Sequence, residues 1–141
     1  MHRFAIRVRY ADTDAMGFAY HAHYLRWFEI GRAEMLRALG TSYRAVEESG
    51  TWLPVVEARC RYLKPARYDD LLTLETGVQT LNRASVRFAY RVRCEAGGGL
   101  LALGLTEHCF LGRNGKPGRP RPELAELLAR APRAGEIGTA R

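Results

Sequence analysis

Two aspartates, two histidines and a glycine crowd into one run, D-T-D-A-M-G-F-A-Y-H-A-H, from Asp12 to His23. A carboxylate can take a proton or attack a carbonyl, and an imidazole can give or take a proton near neutral pH. The pair Asp12 and Asp14 could hold a divalent metal, but oxygen-ligand sites recruit further carboxylates, and none lies close in sequence. The favoured reading is one aspartate that caps a turn or the helix entry and one that is free for chemistry. His21 and His23 would need a third and fourth partner to bind zinc, and His2 and His108 stand at no motif spacing. His21, close to Asp14, is a candidate for a polar site role, whereas His23 reads as part of the helix entry. Gly17 permits a turn with positive φ and would let a carbonyl group approach backbone N–H donors.

These residues open the stretch around which the chain is organised, Tyr10 to Gly40. Leu25, Phe28, Met35, Leu36 and Leu39 recur at helical spacing, widened by Tyr24, Trp27 and Ala38. The pattern predicts a helix over 22–39 with Gly40 as its left-handed cap. A polar loop feeding a helix N-terminus sets backbone donors and a positive dipole end beside acids and bases. Gly31 interrupts the helix at a cost of about 1 kcal/mol, which implies close approach of another backbone.

Strict alternation in FAIRVRY predicts a strand over 4–10, with Phe4, Ile6, Val8 and Tyr10 on one face. A short helix at 41–50 follows, then strands at VVEARCRYL, LLTLETGVQT, SVRFAYRVRC and 100–111. Their connections are the turn KPARYDD, a turn at Asn82 and Arg83, and a glycine-rich loop at 95–99. Past residue 113, a Gly-, Pro- and Arg-rich loop leads to a helix opened by Pro122, and residues from Pro132 are expected to fray. One α+β domain results: a long helix wrapped by a curved antiparallel sheet of five strands. Its open edges call for at least a dimer.

Of 141 residues, 47% are hydrophobic and 10% aromatic, which suits a packed core. The N-terminus alternates charge and apolar residues and shows no signal-peptide core, and no apolar run approaches a membrane span. A soluble cytoplasmic protein is expected. Cys60, Cys94 and Cys109 are odd in number and widely spaced, so they read as small core residues. The net charge of +7 is almost all arginine. Nucleic-acid binding is disfavoured, because the arginines alternate along strands as on a solvated sheet face. A small ligand bearing several phosphates is the other reading. Nucleophile-elbow, Walker and dinucleotide motifs are absent, which excludes the common serine hydrolase, NTPase and dehydrogenase classes.

The run YADTDAMGFAYHAHY with the helix LRWFEIGRAEML resembles the signature of hot dog-fold acyl-CoA thioesterases of the 4-hydroxybenzoyl-CoA and YbgC type. PVVEARCRYLKPARYDDLLTLET is similar to that family's second and third strands, and the likeness covers most of residues 3–112. The resemblance implies hydrolysis of an acyl-CoA thioester without metal or redox cofactor, by a homodimer or homotetramer with a sheet continuous across the interface. It implies Asp14 as the catalytic carboxylate, acting as base or nucleophile, with Tyr10 and His21 as polar neighbours. The backbone N–H near His21 would polarise the carbonyl, with Gly17 shaping the approach. Arg83 and Ser85 match the stretch that contacts the phosphates of CoA. A non-catalytic module binding acyl-CoA or acyl carrier protein on the same fold is the alternative. The acyl group and its carrier, CoA or carrier protein, are left open.

Overall fold

Five strands, several of them alternating apolar and charged residues so that one face meets a core, build a single antiparallel sheet. The computed structural model describes residues 1–97 and 99–137, so Gly98 of the 95–99 loop and residues 138–141 lie outside the described residues. The elements are β1 (His2–Arg7), a 3₁₀ turn (Tyr10–Asp12), α1 (His23–Ala38), α2 (Tyr43–Glu48), β2 (Val55–Tyr62), β3 (Leu71–Leu81), β4 (Ser85–Cys94), β5 (Gly99–Cys109) and α3 (Pro122–Arg130). The sheet order is β1-β3-β4-β5-β2, with every neighbouring pair antiparallel. α1 packs on its inner face, as the hot dog arrangement requires. Among the described residues, no helix is long and apolar enough to cross a membrane.

Tyr24, Trp27, Phe28, Met35 and Leu36 bury the inner side of α1. Leu25 and Ala38, expected on the same stripe, are exposed: the sheet wraps one side of the helix and the apolar band is narrower than the sequence pattern. Two glycines let helix and sheet approach closely. A Cβ at Gly104 would lie within the ring of Phe28, and one at Gly31 would collide with Oγ1 of Thr76. Gly31 thus faces a side chain of β3, not the backbone expected from sequence. Gly40 ends α1 at φ +93°, with Gly40 N–H donating to Arg37 and Thr41 N–H to Leu36, a Schellman cap.

The first strand stops earlier than its alternation predicts. Val8 is still buried and bonded to Asp70, but Tyr10 has turned out of the strand and is 79% exposed. The cause is Asp12, whose carboxylate accepts the Arg9 N–H and folds the chain into the 3₁₀ turn. The C-terminal residues also depart from expectation. Residues 132–137 do not fray, and the rest of the segment expected to fray lies outside the described residues: Val78 N–H donates to Pro132, Ala134 N–H donates to Val78, and Ala134 and Ile137 are buried over Ala89 on the outer face. They take the edge of β3 that β1 leaves free beyond Thr76.

On that outer face the arginines sit beside carboxylates, as a solvated sheet face implies. Arg93 bonds Glu75 at 2.8 Å, Arg3 bonds it at 3.1 Å, and Arg87 bonds Glu107 at 3.1 Å. Burial alone would raise the Glu75 carboxyl, but the hydrogen bond from Arg93 and the charges of Arg93, Arg3 and Arg91 outweigh it and lower it. The three cysteines are free and half-buried, and burial pushes the Cys60 thiol up to about 11, which suits a packing role.

A buried polar relay ties α1 to the sheet. Arg32 donates to Tyr43 at 3.0 Å and to Tyr90 at 3.1 Å; Tyr90 and Thr106 hydroxyls are 2.6 Å apart, and Thr106 lies 2.9 Å from Nε2 of His108. His108 Nδ1 donates to the Leu53 carbonyl at 3.0 Å, and because burial keeps the ring neutral at neutral pH, Nε2 is left to accept from Thr106. Burial lowers the His108 pKa to about 4, the bond to Leu53 offsets this in part, and Arg32 adds to it. The folded value lies below the unfolded value near 6.5, so the unfolded chain takes up the proton first as pH falls. Stability should therefore be level above about pH 6.5 and fall by up to about 3 kcal/mol toward pH 4. Denaturant unfolding between pH 7 and 4.5 checks this; His108→Asn should flatten the slope, and an unchanged slope would show that another group titrates.

Candidate active site

Residues 13–19 form a tight hairpin ahead of α1, closed by a bridge between Thr13 and Ala19. Asp14 N–H donates to Phe18 at 2.8 Å and Gly17 N–H donates back to Asp14 at 3.0 Å, with Gly17 at φ +80° where a side chain would be strained. The hairpin is pinned to the 64–70 turn: Ala19 N–H donates to Ala66, and the Arg67 guanidinium lies over the Phe18 ring at 4.9 Å. That turn, KPARYDD in the sequence, places Asp69 at φ +69°.

Of the two aspartates, Asp12 takes the turn-capping role expected of one of them. Asp12 is buried and committed, accepting from the Arg9 N–H at 2.8 Å, while its carbonyl accepts from Tyr20 N–H at 2.7 Å. Asp14 is only half-buried and lines a cavity of about 360 Å³. Its Oδ1 accepts the Met16 N–H at 2.9 Å, which leaves Oδ2 without a partner among the described residues.

His21 lines the same cavity, so Asp14 and His21 are brought together. Here the chain enters α1 with no side-chain cap, since Ala22 holds the N-cap position. The N–H groups of His23, Tyr24 and Leu25 turn back onto Tyr20, His21 and Ala22 carbonyls. Among the described residues, the His21 and Ala22 amides bond to no backbone carbonyl, and they sit at the positive end of the helix. Met16, Phe18, Leu63 and Pro65 give the cavity apolar walls, Tyr24 and Tyr62 add phenol rings, and Lys64 brings a cation. A carboxylate, two open amides and an apolar wall can hold a polarised carbonyl with its hydrocarbon substituent alongside.

Other expected site residues are placed elsewhere. Tyr10 leaves the Asp14 cavity and stacks edge-on against Tyr68 at 5.7 Å, because the 3₁₀ turn carries it outward. Arg83 lies at the β3–β4 hairpin, where with Arg119 it lines a separate cavity of about 380 Å³. Ser85 accepts from the Asn82 side chain at 3.3 Å and lines neither cavity. β3 runs eleven residues from the Asp14 end to that hairpin, so both lie at the far end of the sheet within one chain. His23 is the first residue of α1 and packs near Tyr20. Sequence reasoning missed Tyr62, Tyr24 and Lys64. The apolar-aromatic alternation ending in YLKP marked a strand end, and only the fold brings it to the hairpin.

A helix packed on a five-stranded antiparallel sheet, with Asp14 and His21 lining one cavity ahead of its uncapped N-terminus, defines a hot dog-fold protein. A protein-family model described as the thioesterase-like superfamily matches residues 8–131. The acyl-CoA thioester hydrolase YbgC of Escherichia coli is 36% identical over 92 residues, spanning 65% of this chain and 69% of that protein. A crystal structure of a hypothetical protein from Aquifex aeolicus superposes at TM-score 0.86 with 33% identity, covering 91% of this chain and 99% of its own. The DHNA-CoA thioesterase of Staphylococcus aureus superposes at 0.85 with 31% identity, covering 91% and 88%. This chain belongs to the thioesterase-like superfamily, in its YbgC-like hot dog-fold family.

The division of labour between the aspartates has a stability consequence. Asp12→Ala removes a buried charge-assisted bond and should cost about 1 to 2 kcal/mol, read as a lower denaturation midpoint. An unchanged midpoint would mean that Asp12 does not hold the turn.

Proposed function

We propose that this protein hydrolyses an acyl-CoA thioester to a carboxylic acid and free thiol. The observation that carries the reading is that Asp14 and the open amides at His21 and Ala22 line or flank one apolar-walled cavity. A thioester carbonyl docked on those amides would place its carbon near the unpartnered Oδ2. As the bond to the attacking group forms, charge moves onto the carbonyl oxygen, and fixed N–H donors at a helix N-terminus stabilise it without reorganising. Asp14 either takes a proton from the attacking water or attacks the carbon itself to give an anhydride that water then opens. In both routes the thiolate leaves and one water is consumed. His21, beside Tyr20 at 4.5 Å between ring centres, is a polar neighbour that helps order water.

Thiol release from a panel of acyl-CoA esters tests the activity. Asp14→Asn keeps the shape but cannot take a proton or form an anhydride, so kcat should fall by at least about 100-fold while acyl-CoA still binds. His21→Ala should be intermediate, and Asp12→Asn should retain most turnover. Full turnover in Asp14→Asn would remove the assignment, and binding without turnover in the wild type would favour a non-catalytic module.

We also infer that the working unit is at least a dimer formed through β2. This strand is an edge paired only to β5, and Val55, Val56 and Tyr62 are 50%, 58% and 46% exposed along it. Two copies of β2 meeting antiparallel would set the Tyr62 end of one beside the Val55 end of the other. That end carries the β3–β4 hairpin, so Arg83 of one copy would come toward the Asp14 cavity of its partner, where the phosphates of CoA could be held. Sedimentation equilibrium should give at least twice the chain mass of 15.9 kDa at micromolar concentration. A stable monomer would overturn the assembly.

A further inference from the structure

We propose that Tyr62 is a positioning residue for the carbonyl-binding turn, holding the His21–Ala22 peptide so that its amides face the cavity. This rests on the hydrolytic reading above and adds a residue to it. The Tyr62 hydroxyl, at the end of β2, donates to the His21 carbonyl at 2.7 Å across 41 positions of sequence. The same carbonyl otherwise accepts only a long 3.4 Å contact from Tyr24 N–H among the described residues, so Tyr62 supplies its one short bond.

The chemistry follows from the peptide unit. The His21 carbonyl and the Ala22 N–H belong to one amide group. A proton donated to the oxygen draws electron density from the nitrogen and makes that N–H a stronger donor. The bond also fixes rotation about the Cα–C bond of His21, so the His21 N–H on the other side of the residue keeps its aim. No side chain caps this helix entry, so the Tyr62 hydroxyl does from a distant strand what a local cap leaves undone.

Tyr62 is itself braced. Its ring meets that of Tyr24 edge-on at 4.9 Å, and Tyr62 stands opposite Ala102 of β5 on the inner face of the sheet. Burial raises the phenol pKa, and Cys60 and Tyr24 raise it further, so the hydroxyl stays protonated wherever the enzyme can be assayed. A group that only stapled β2 to the loop would not need a donor hydrogen aimed at this one carbonyl.

The test separates positioning from stapling. Tyr62→Phe keeps the ring and its contact with Tyr24 but loses the donor. We expect kcat for thiol release from the best acyl-CoA of the panel to fall about tenfold, with KM changed less than about twofold. A fluorinated tyrosine placed at residue 62 has the same shape and a stronger donor, and should restore kcat to the wild-type level or above. Unchanged kcat, or a loss confined to KM and melting temperature, would overturn the proposal while leaving the hydrolase reading intact. A wild-type protein that releases no thiol from any acyl-CoA would instead overturn the hydrolase reading, and this proposal with it.

Discussion

The ring of Phe28 occupies the space that a side chain at residue 104 would need, and it stacks on Tyr90 at 4.4 Å with the planes nearly parallel. This contact sets how deep α1 sinks into the sheet. Gly31 repeats the arrangement with the roles exchanged, since there the helix gives up its side chain and Thr76 of β3 fills the gap. With depth fixed at two points on opposite partners, the helix axis cannot tilt or slide without a clash against a rigid ring or a β-branched side chain. The N-terminus of α1 is then fixed relative to the strand ends, and so is the distance from its amides to the hairpin that carries Asp14. The chemistry depends on a packing decision made two helical turns away.

Seating a helix so closely leaves little room for water, and the polar groups within the layer must satisfy one another. The relay from Arg32 through Tyr90 and Thr106 to His108 and the Leu53 carbonyl does this with every proton pointing the same way. Arg32 is buried at 7% exposure without a carboxylate partner among the described residues, and two phenol oxygens take its place. A second proton on His108 would set two donors face to face at Thr106 and reverse the chain toward a fixed cation. The neutral histidine is a consequence of that directionality as much as of burial. The relay ends at Leu53, just before Pro54 and the start of β2, so it ties the helix to the strand that carries Tyr62.

Local chemistry made much of this legible before any coordinates. Periodicity two marked four strands and a glycine-rich hairpin loop the fifth, periodicity 3.6 marked α1, and Gly40 marked its end because only a left-handed residue closes that cap. That one aspartate of the D-x-D pair caps a turn was readable from its spacing, and Asp12 does so at the 3₁₀ turn and not at the helix entry. What escaped was set by tertiary geometry. The edge position of β2 leaves Val56, Ala58 and Tyr62 exposed although their alternation is that of a half-buried strand. Tyr10 continues the alternation of β1, yet a carboxylate two residues later turns it outward. Arg83 and Ser85 follow a hairpin signal that is correct, but a long β3 carries them away from Asp14 within the chain. Tyr62 could not be found by spacing, because the atom it touches lies 41 residues upstream.

The two edges of the sheet are treated differently, and the difference coincides with the candidate site. At the β1 edge, residues 132–134 continue the sheet where β1 stops, and Ile137 with Ala134 covers the outer face beside it. An edge so completed offers few free backbone groups to another chain. Among the described residues the β2 edge has no such cover: Val55 and Val56 stand in solvent at one end of it and Tyr62, beside the cavity that holds Asp14, at the other. Covering β2 would bury those side chains and stiffen the strand that holds the His21 carbonyl. An extended substrate leaving the cavity along this edge would also find a second surface to rest on. The unfinished edge and the uncapped helix entry are two places where local rules are broken, and Tyr62 joins them.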